Sequence, residues 1–252
     1  MSLHHRLDGP AGAPVVVLSN SLGTTLEMWD PQLPALTRSF RVLRYDQRGH
    51  GRSDVPPGPY TLGELGQDLL GLLDRLDLER VSCCGLSLGG MVGMWLAGNA
   101  PERLDRLVLA CTSAYLGPPE TWIDRAALVR TEGTAAVADA VMERWFTERF
   151  RTDQGSTVAR YRAMVAETPS EGYAACCEAI RDWDFREQLG SIVAPTLVVA
   201  GAADPATPPE HAELIAQRIP GARLVVLPDV AHLANVETTA AFDEAVLGHL
   251  AP

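Results

Sequence analysis

Short apolar runs at 15–19, 41–45, 81–85, 107–111, 196–200 and 224–227 read as strands buried on both faces, and helical periodicity fills most of the intervals between them. A chain that alternates strand and helix in this way packs as a mostly parallel sheet covered by helices on both sides, an α/β fold. Leu62, Leu65, Leu69, Leu72, Leu73 and Leu76 form one apolar stripe behind the cap candidate Thr61, and Thr239–Leu250 repeats the pattern, so both segments are expected to be core-facing helices. From about 114 to 193 the alternation stops. That interval has no good strand but several helical stretches, with three of the five tryptophans (Trp122, Trp145 and Trp183). The expected organisation is a core of residues 1–113 and 194–252 and a helical cap of residues 114–193, closing over the carboxyl edge of the sheet, where α/β proteins bind ligands.

Composition limits what such a chain can do. With 46% apolar and 21% charged residues over 252 positions, it can bury a large core. No apolar run approaches the roughly 20 residues that span a bilayer, and the N-terminus has no signal-like pattern, so a cytoplasmic location and no membrane partner are expected. The five cysteines include two sequence-adjacent pairs, Cys83-Cys84 and Cys176-Cys177, a spacing that suits neither disulfide frameworks nor zinc; reduced, buried thiols and no metal are expected. All 21 basic residues are arginines, and the formal net charge is −11. A nucleic-acid partner is excluded on that field, and an anionic substrate needs a locally placed arginine.

Gly85-Leu86-Ser87-Leu88-Gly89-Gly90 lies between the run at 81–85 and a helix-like segment at 91–99, which puts Ser87 at a tight strand-to-helix corner. Glycine two positions to either side leaves room for a strained turn, and the helix start points free N–H groups at charge developing on a reacting oxygen. An acid and a histidine then follow in the order that a nucleophilic serine requires. Asp204 comes just after the run at 196–200, and His232 just after that at 224–227. His232 would take the Ser87 proton and return it to the leaving group, while Asp204 fixes the imidazole tautomer. The oxyanion hole is expected from the amides of Leu88 and of Leu22, in the loop Ser19-Asn20-Ser21-Leu22-Gly23, with Asn20 bonding within that loop. Asp46-Gln47-Arg48-Gly49-His50-Gly51-Arg52-Ser53 reads as a self-bonded turn rather than a metal or phosphate loop. His50 and His211 are rival bases only if His232 fails, and His4, His5 and His249 are expected to be solvated near the termini.

The stretches Asn20-Ser21-Leu22-Gly23-Thr24, Tyr45-Asp46-Gln47-Arg48-Gly49-His50-Gly51, Gly85-Leu86-Ser87-Leu88-Gly89-Gly90-Met91 and Asn99-Ala100-Pro101-Glu102-Arg103, with Glu143-Arg144-Trp145-Phe146-Thr147 and Gly172-Tyr173-Ala174-Ala175, make the chain resemble the 3-oxoadipate enol-lactonase family of α/β-hydrolases over essentially its whole length. Relatives usually carry His-Gly where this chain has Asn20-Ser21, which leaves a backbone role for Leu22 intact. The resemblance implies opening of an enol-lactone ring in bacterial breakdown of protocatechuate and catechol, by Ser87, His232 and Asp204 and with no cofactor. It also implies a small anionic lactone as partner. Trp122 and Arg125, three apart after the helix-start signal Pro118-Pro119, are the candidates to meet its carboxylate, with Trp145 next. One departure is expected: residues 3–10 resemble the family's second strand with nothing before it, which predicts seven strands. The same triad also serves other esterases and lactonases, cofactor-free perhydrolases and hydrolase-fold receptors.

Overall fold

The computed structural model describes residues 1–251. Its sheet has seven strands, β1 (His5–Asp8), β2 (Val15–Ser19), β3 (Arg41–Tyr45), β4 (Val81–Leu86), β5 (Leu104–Ala110), β6 (Thr196–Gly201) and β7 (Arg223–Leu227), in the order β1-β3-β2-β4-β5-β6-β7. All pairings are parallel except that of β1 with β3. No strand precedes His5, so the expectation of seven holds, with β1 at one edge.

The helices are α1 (Leu33–Leu36), α2 (Leu62–Arg75), α3 (Leu88–Asn99), α4 (Pro119–Glu132), α5 (Ala135–Trp145), α6 (Glu148–Asp153), α7 (Gly155–Glu167), α8 (Ser170–Arg181), α9 (Pro209–Arg218), α10 (Ala234–Glu237) and α11 (Thr239–Leu250). Thr61 closes a full capping box on α2: its hydroxyl accepts the Glu64 N–H, and the Glu64 carboxylate accepts the Thr61 N–H. Of the leucine stripe behind it, Leu62, Leu65, Leu69, Leu72 and Leu73 are buried, while Leu76, just past the end of α2, is half-buried. Between β5 and β6 come the five consecutive helices α4–α8 and no strand. Helix α3 is apolar on nearly every side because it packs against β2, β4, β5 and α2.

Three expectations need correction. Edge strand β7 is not buried on both faces: Val226 stands exposed because β7 has a neighbour on one side only. Strand β5 starts at Leu104 and ends at Ala110, since Cys111 takes φ 43° and leaves the strand. His249 is not solvated; it is 5% exposed, its ring bonded to the Pro195 carbonyl oxygen and to Arg223. His4 and His5 are half-buried. All five cysteines are unpaired and buried. No helix among the described residues is long and apolar enough to cross a membrane.

Candidate active site

Strand β4 delivers Ser87 directly to the first residue of α3, three positions earlier than the sequence suggested, with Ser87 itself at φ 57° and ψ −116°. This left-handed backbone is unfavourable for a side chain and persists only where its surroundings fix it. Here they do. The Ser87 N–H donates to Ala110 O at 2.9 Å, and the Ser87 carbonyl accepts from Gly90 N–H, Met91 N–H and the Thr112 hydroxyl. The corner also explains its glycines: a Cβ on Gly85 would overlap Gly89 O, and one on Gly89 would overlap Ser19 O. The amides of Leu88 and Leu22 have no protein acceptor among the described residues.

After β6 the chain turns through Asp204. Its Oδ1 accepts the Ala206 and Thr207 N–H groups at 2.8 and 3.0 Å; Oδ2 accepts the Thr207 hydroxyl at 2.7 Å and His232 Nδ1–H at 2.8 Å. Burial opposes ionisation of Asp204, but His232 and the Thr207 donors outweigh it and hold the carboxyl below its usual range. The loops bearing the two residues are stitched together, with Ala202 N–H donating to Leu227 O and Ala203 N–H to Val230 O. A further tie runs to the inserted helices: Leu233 N–H donates to Trp145 O at 3.0 Å, and Glu237 accepts both Ala231 N–H and the amide and hydroxyl of Thr147.

These strand ends and the inserted helices enclose a cavity of about 160 Å³. Ser21, Leu22, Ser87, Thr207 and His232 line it from the sheet side, and Trp122, Arg125, Arg144, Trp145 and Tyr173 from the helices. Ser87 and His232 share the cavity without a hydrogen bond between them, a looseness common in unliganded sites. The volume lies below the roughly 300–1,000 Å³ of pockets for drug-sized ligands, so the occupant is small.

Of the residues expected to meet a carboxylate, Arg125 and Trp145 line the cavity as anticipated. Trp122 lines it too, but its indole N–H is spent on Leu116 O at 2.7 Å, and the Arg125 guanidinium sits over its ring at 4.8 Å. Trp122 therefore offers a packing face rather than a donor. Sequence reasoning missed Arg144. Neither Arg125 nor Arg144 forms an ion pair with a carboxylate among the described residues. Burial, and then the charge of Arg125, hold the Arg144 guanidinium below its ordinary range. His50 is not a free base, because its Nε2 accepts the Gly23 N–H at 2.9 Å. His211 is tied through Nδ1 to the Ser113 hydroxyl at 2.6 Å. Asn20 bonds outside its own loop, donating to Tyr45 O.

The profile of the α/β-hydrolase fold family matches residues 14–239. The chain belongs to that family. It is 40% identical to 3-oxoadipate enol-lactonase 2 of Acinetobacter baylyi, over 98% of this chain and 92% of that protein. The crystal structure of the enol-lactonase from Burkholderia xenovorans LB400 superposes with a TM-score of 0.97 at 46% identity, covering 99% of this chain and 96% of that one. A Stutzerimonas stutzeri protein named as a carbamate hydrolase, RutD, is 32% identical over 99% of this chain and 97% of its own length. The enol-lactonase resemblance carried by the motifs is thus matched along the whole chain, and the protein is a hydrolase related to the carboxylic ester hydrolases of that group.

Proposed function

We propose that this protein opens the ester bond of 3-oxoadipate enol-lactone to give 3-oxoadipate, as in bacterial breakdown of protocatechuate and catechol, with Ser87, His232 and Asp204 as the catalytic triad. The observation that carries this reading is the pairing, in one small cavity, of Ser87 and the Asp204–His232 couple with two guanidiniums, Arg125 and Arg144, that have no carboxylate partner. In a protein of net charge −11, two cationic groups turned to a small cavity suit a substrate that brings its own negative charge. Neutral esters need the triad but not the arginines.

Ser87 Oγ attacks the lactone carbonyl as His232 Nε2 takes its proton. The tetrahedral oxyanion is met by the Leu22 and Leu88 amides. Collapse breaks the ring C–O bond, and His232 returns the proton to the departing enol oxygen. The acyl-enzyme is then attacked by water, whose proton passes to His232 and on to Ser87 Oγ. The released enol converts to the more stable ketone, which draws the reaction forward. No step requires a cofactor. Residues 114–193 act as a cap that supplies the acid-binding wall, and the five unpaired thiols fit a reducing, cytoplasmic setting.

The deciding experiment follows loss of ultraviolet absorbance from freshly generated enol-lactone on adding pure protein. The reading expects rapid turnover without any partner protein, abolished in Ser87→Ala. A protein that cleaves simple aryl esters but leaves the lactone untouched would refute the substrate, and one with no turnover at all would point to a receptor-like role.

A further inference from the structure

The turn at 46–53 is self-bonded, as its sequence suggests: Ser53 Oγ donates to Asp46 O, and Arg52 N–H to Asp46 Oδ2. Yet three of its side chains also reach out to backbone atoms of one other segment, residues 20–26. Gln47 Nε2 donates to Asn20 O at 2.6 Å, Gly23 N–H donates to His50 Nε2 at 2.9 Å, and Leu26 N–H donates to Asp46 Oδ1 at 2.7 Å. The segment so gripped is the one that carries Leu22. Two of the anchors bracket that residue, one at the carbonyl two positions before it and one at the amide just after it.

His50 is 1% exposed, and its other nitrogen, Nδ1, faces Arg48 O at 3.1 Å, which makes Nδ1 the protonated one and Nε2 a pure acceptor. Burial pushes its pKa down to about 4, so the ring stays neutral at working pH. Gly23 has φ +80°, a conformation side chains rarely adopt, and a Cβ there would press on the Tyr173 ring at 3.0 Å. The segment is thus fixed from two sides, by the turn and by α8.

We propose that His50 is a positioning residue for catalysis: by accepting the Gly23 N–H it orients the peptide plane next to Leu22 and so aims the Leu22 amide at the oxyanion formed on Ser87. Gln47 acts with it from the other flank. This rests on the assignment of Leu22 to the oxyanion hole made above. A donor of this kind works only when held about 2.7–3.1 Å from the oxyanion before the charge forms, and a displacement of about 1 Å is enough to cost on the order of 100-fold.

The test compares His50→Gln, whose side chain extends far enough to place an amide oxygen on Gly23 N–H, with His50→Asn, which can still bond Arg48 O but is too short to reach Gly23. The probe is an alkyl fluorophosphonate. It forms an Oγ–P bond at Ser87 with loss of fluoride, and it needs the oxyanion hole whatever the natural substrate is. In His50→Asn the labelling rate constant and kcat should fall by roughly 10- to 100-fold with little change in KM, and amide exchange at 20–26 should quicken; His50→Gln should recover to within a few-fold of wild type. Labelling of His50→Asn at the wild-type rate overturns the proposal. So does an equal fall in both variants that tracks their loss of thermal stability, which would mean a structural role only. Wild type that labels at Ser87 but leaves the lactone intact refutes the substrate while the labelling rates still decide the role of His50. Wild type that takes no label overturns both.

Discussion

Arg144 sits in the last turn of α5, where a cation ordinarily reads as a solvated partner of the helix dipole. What the sequence does show is its spacing: Val141, Arg144 and Trp145 fall at i, i+3 and i+4, one helical face, and all three line the cavity. Arg144→Gln should lower kcat/KM for the carboxylate-bearing lactone by roughly 10- to 100-fold, the scale of one charge-assisted contact, and leave a neutral aryl ester nearly unaffected. Parallel kinetics on the two substrates check this, and an equal loss on both would assign Arg144 to cap packing alone. Trp122→Phe, which removes the bond to Leu116 O and also trims the ring beneath Arg125, should lower thermal stability without a loss selective for the charged substrate. Ser87→Ala should cost roughly four to six decades of turnover with the fold intact, and Asp204→Asn several decades through the wrong imidazole tautomer, both read by steady-state rates and circular dichroism. The serine, acid and histidine are legible because each follows a strand within a few residues and the chain order is diagnostic. Arg144 and the spent indole of Trp122 are not, because neither helix orientation nor a bond to a distant carbonyl is written in local spacing.

Strands β2 and β3 and helix α11 coincide with the sequence expectation to the residue, since apolar runs or a clear period bound them sharply. Helix α3 begins earlier than expected because Gly89 and Gly90 disguise its first turn, and they are there for close approach to Ser19 and Thr112 rather than to break a helix. Strand β5 also begins early, its first residues disguised by the charges of exposed Asp105 and half-buried Arg106. The least visible contact between elements is the one that seats α8. Gly172 of α8 meets Gly49 of the turn at 46–53 so closely that a Cβ on either would overlap the other's backbone, and beside it Cys176 Sγ approaches Arg48 O at 3.8 Å. Alanine within a helix normally gains about 1 kcal/mol over glycine. At Gly172 that gain is outweighed, because the new methyl meets backbone that cannot swing away, and overpacking costs about 1–3 kcal/mol. Gly172→Ala, at a net cost of up to about 2 kcal/mol, should therefore lower Tm by up to about 8 °C, while Gly155→Ala in α7, where nothing lies within 4 Å of the added Cβ, should leave it level or slightly raised. Differential scanning calorimetry of the two variants separates close packing from helix propensity.

Across the whole molecule, acidic excess and burial set how stability depends on pH. His50, His211 and His249 are all held below their ordinary pKa by burial. The folded state then binds fewer protons than the unfolded chain, and stability grows as pH rises through roughly 4–6.5. Asp243 on α11 runs the other way. Its Oδ1 is buried without a partner, and burial lifts its pKa from 3.8 to about 6 against an opposing hydrogen bond from Gln32. Between those two values the folded state holds a proton that the unfolded chain has released. Its contribution to stability is present below pH 3.8 and is lost as pH rises through about 6. Asp243→Asn removes that loss. The variant and wild type should melt together near pH 4, and the variant should melt about 2–4 °C higher above pH 6.5, a shift that corresponds to about 1 kcal/mol in a chain of this size. Thermal scans of both proteins across pH 4–8 test it, because the buried histidines act equally on the two and cancel in the difference. A constant offset at every pH would show that the substitution alters packing and that Asp243 does not titrate in this window.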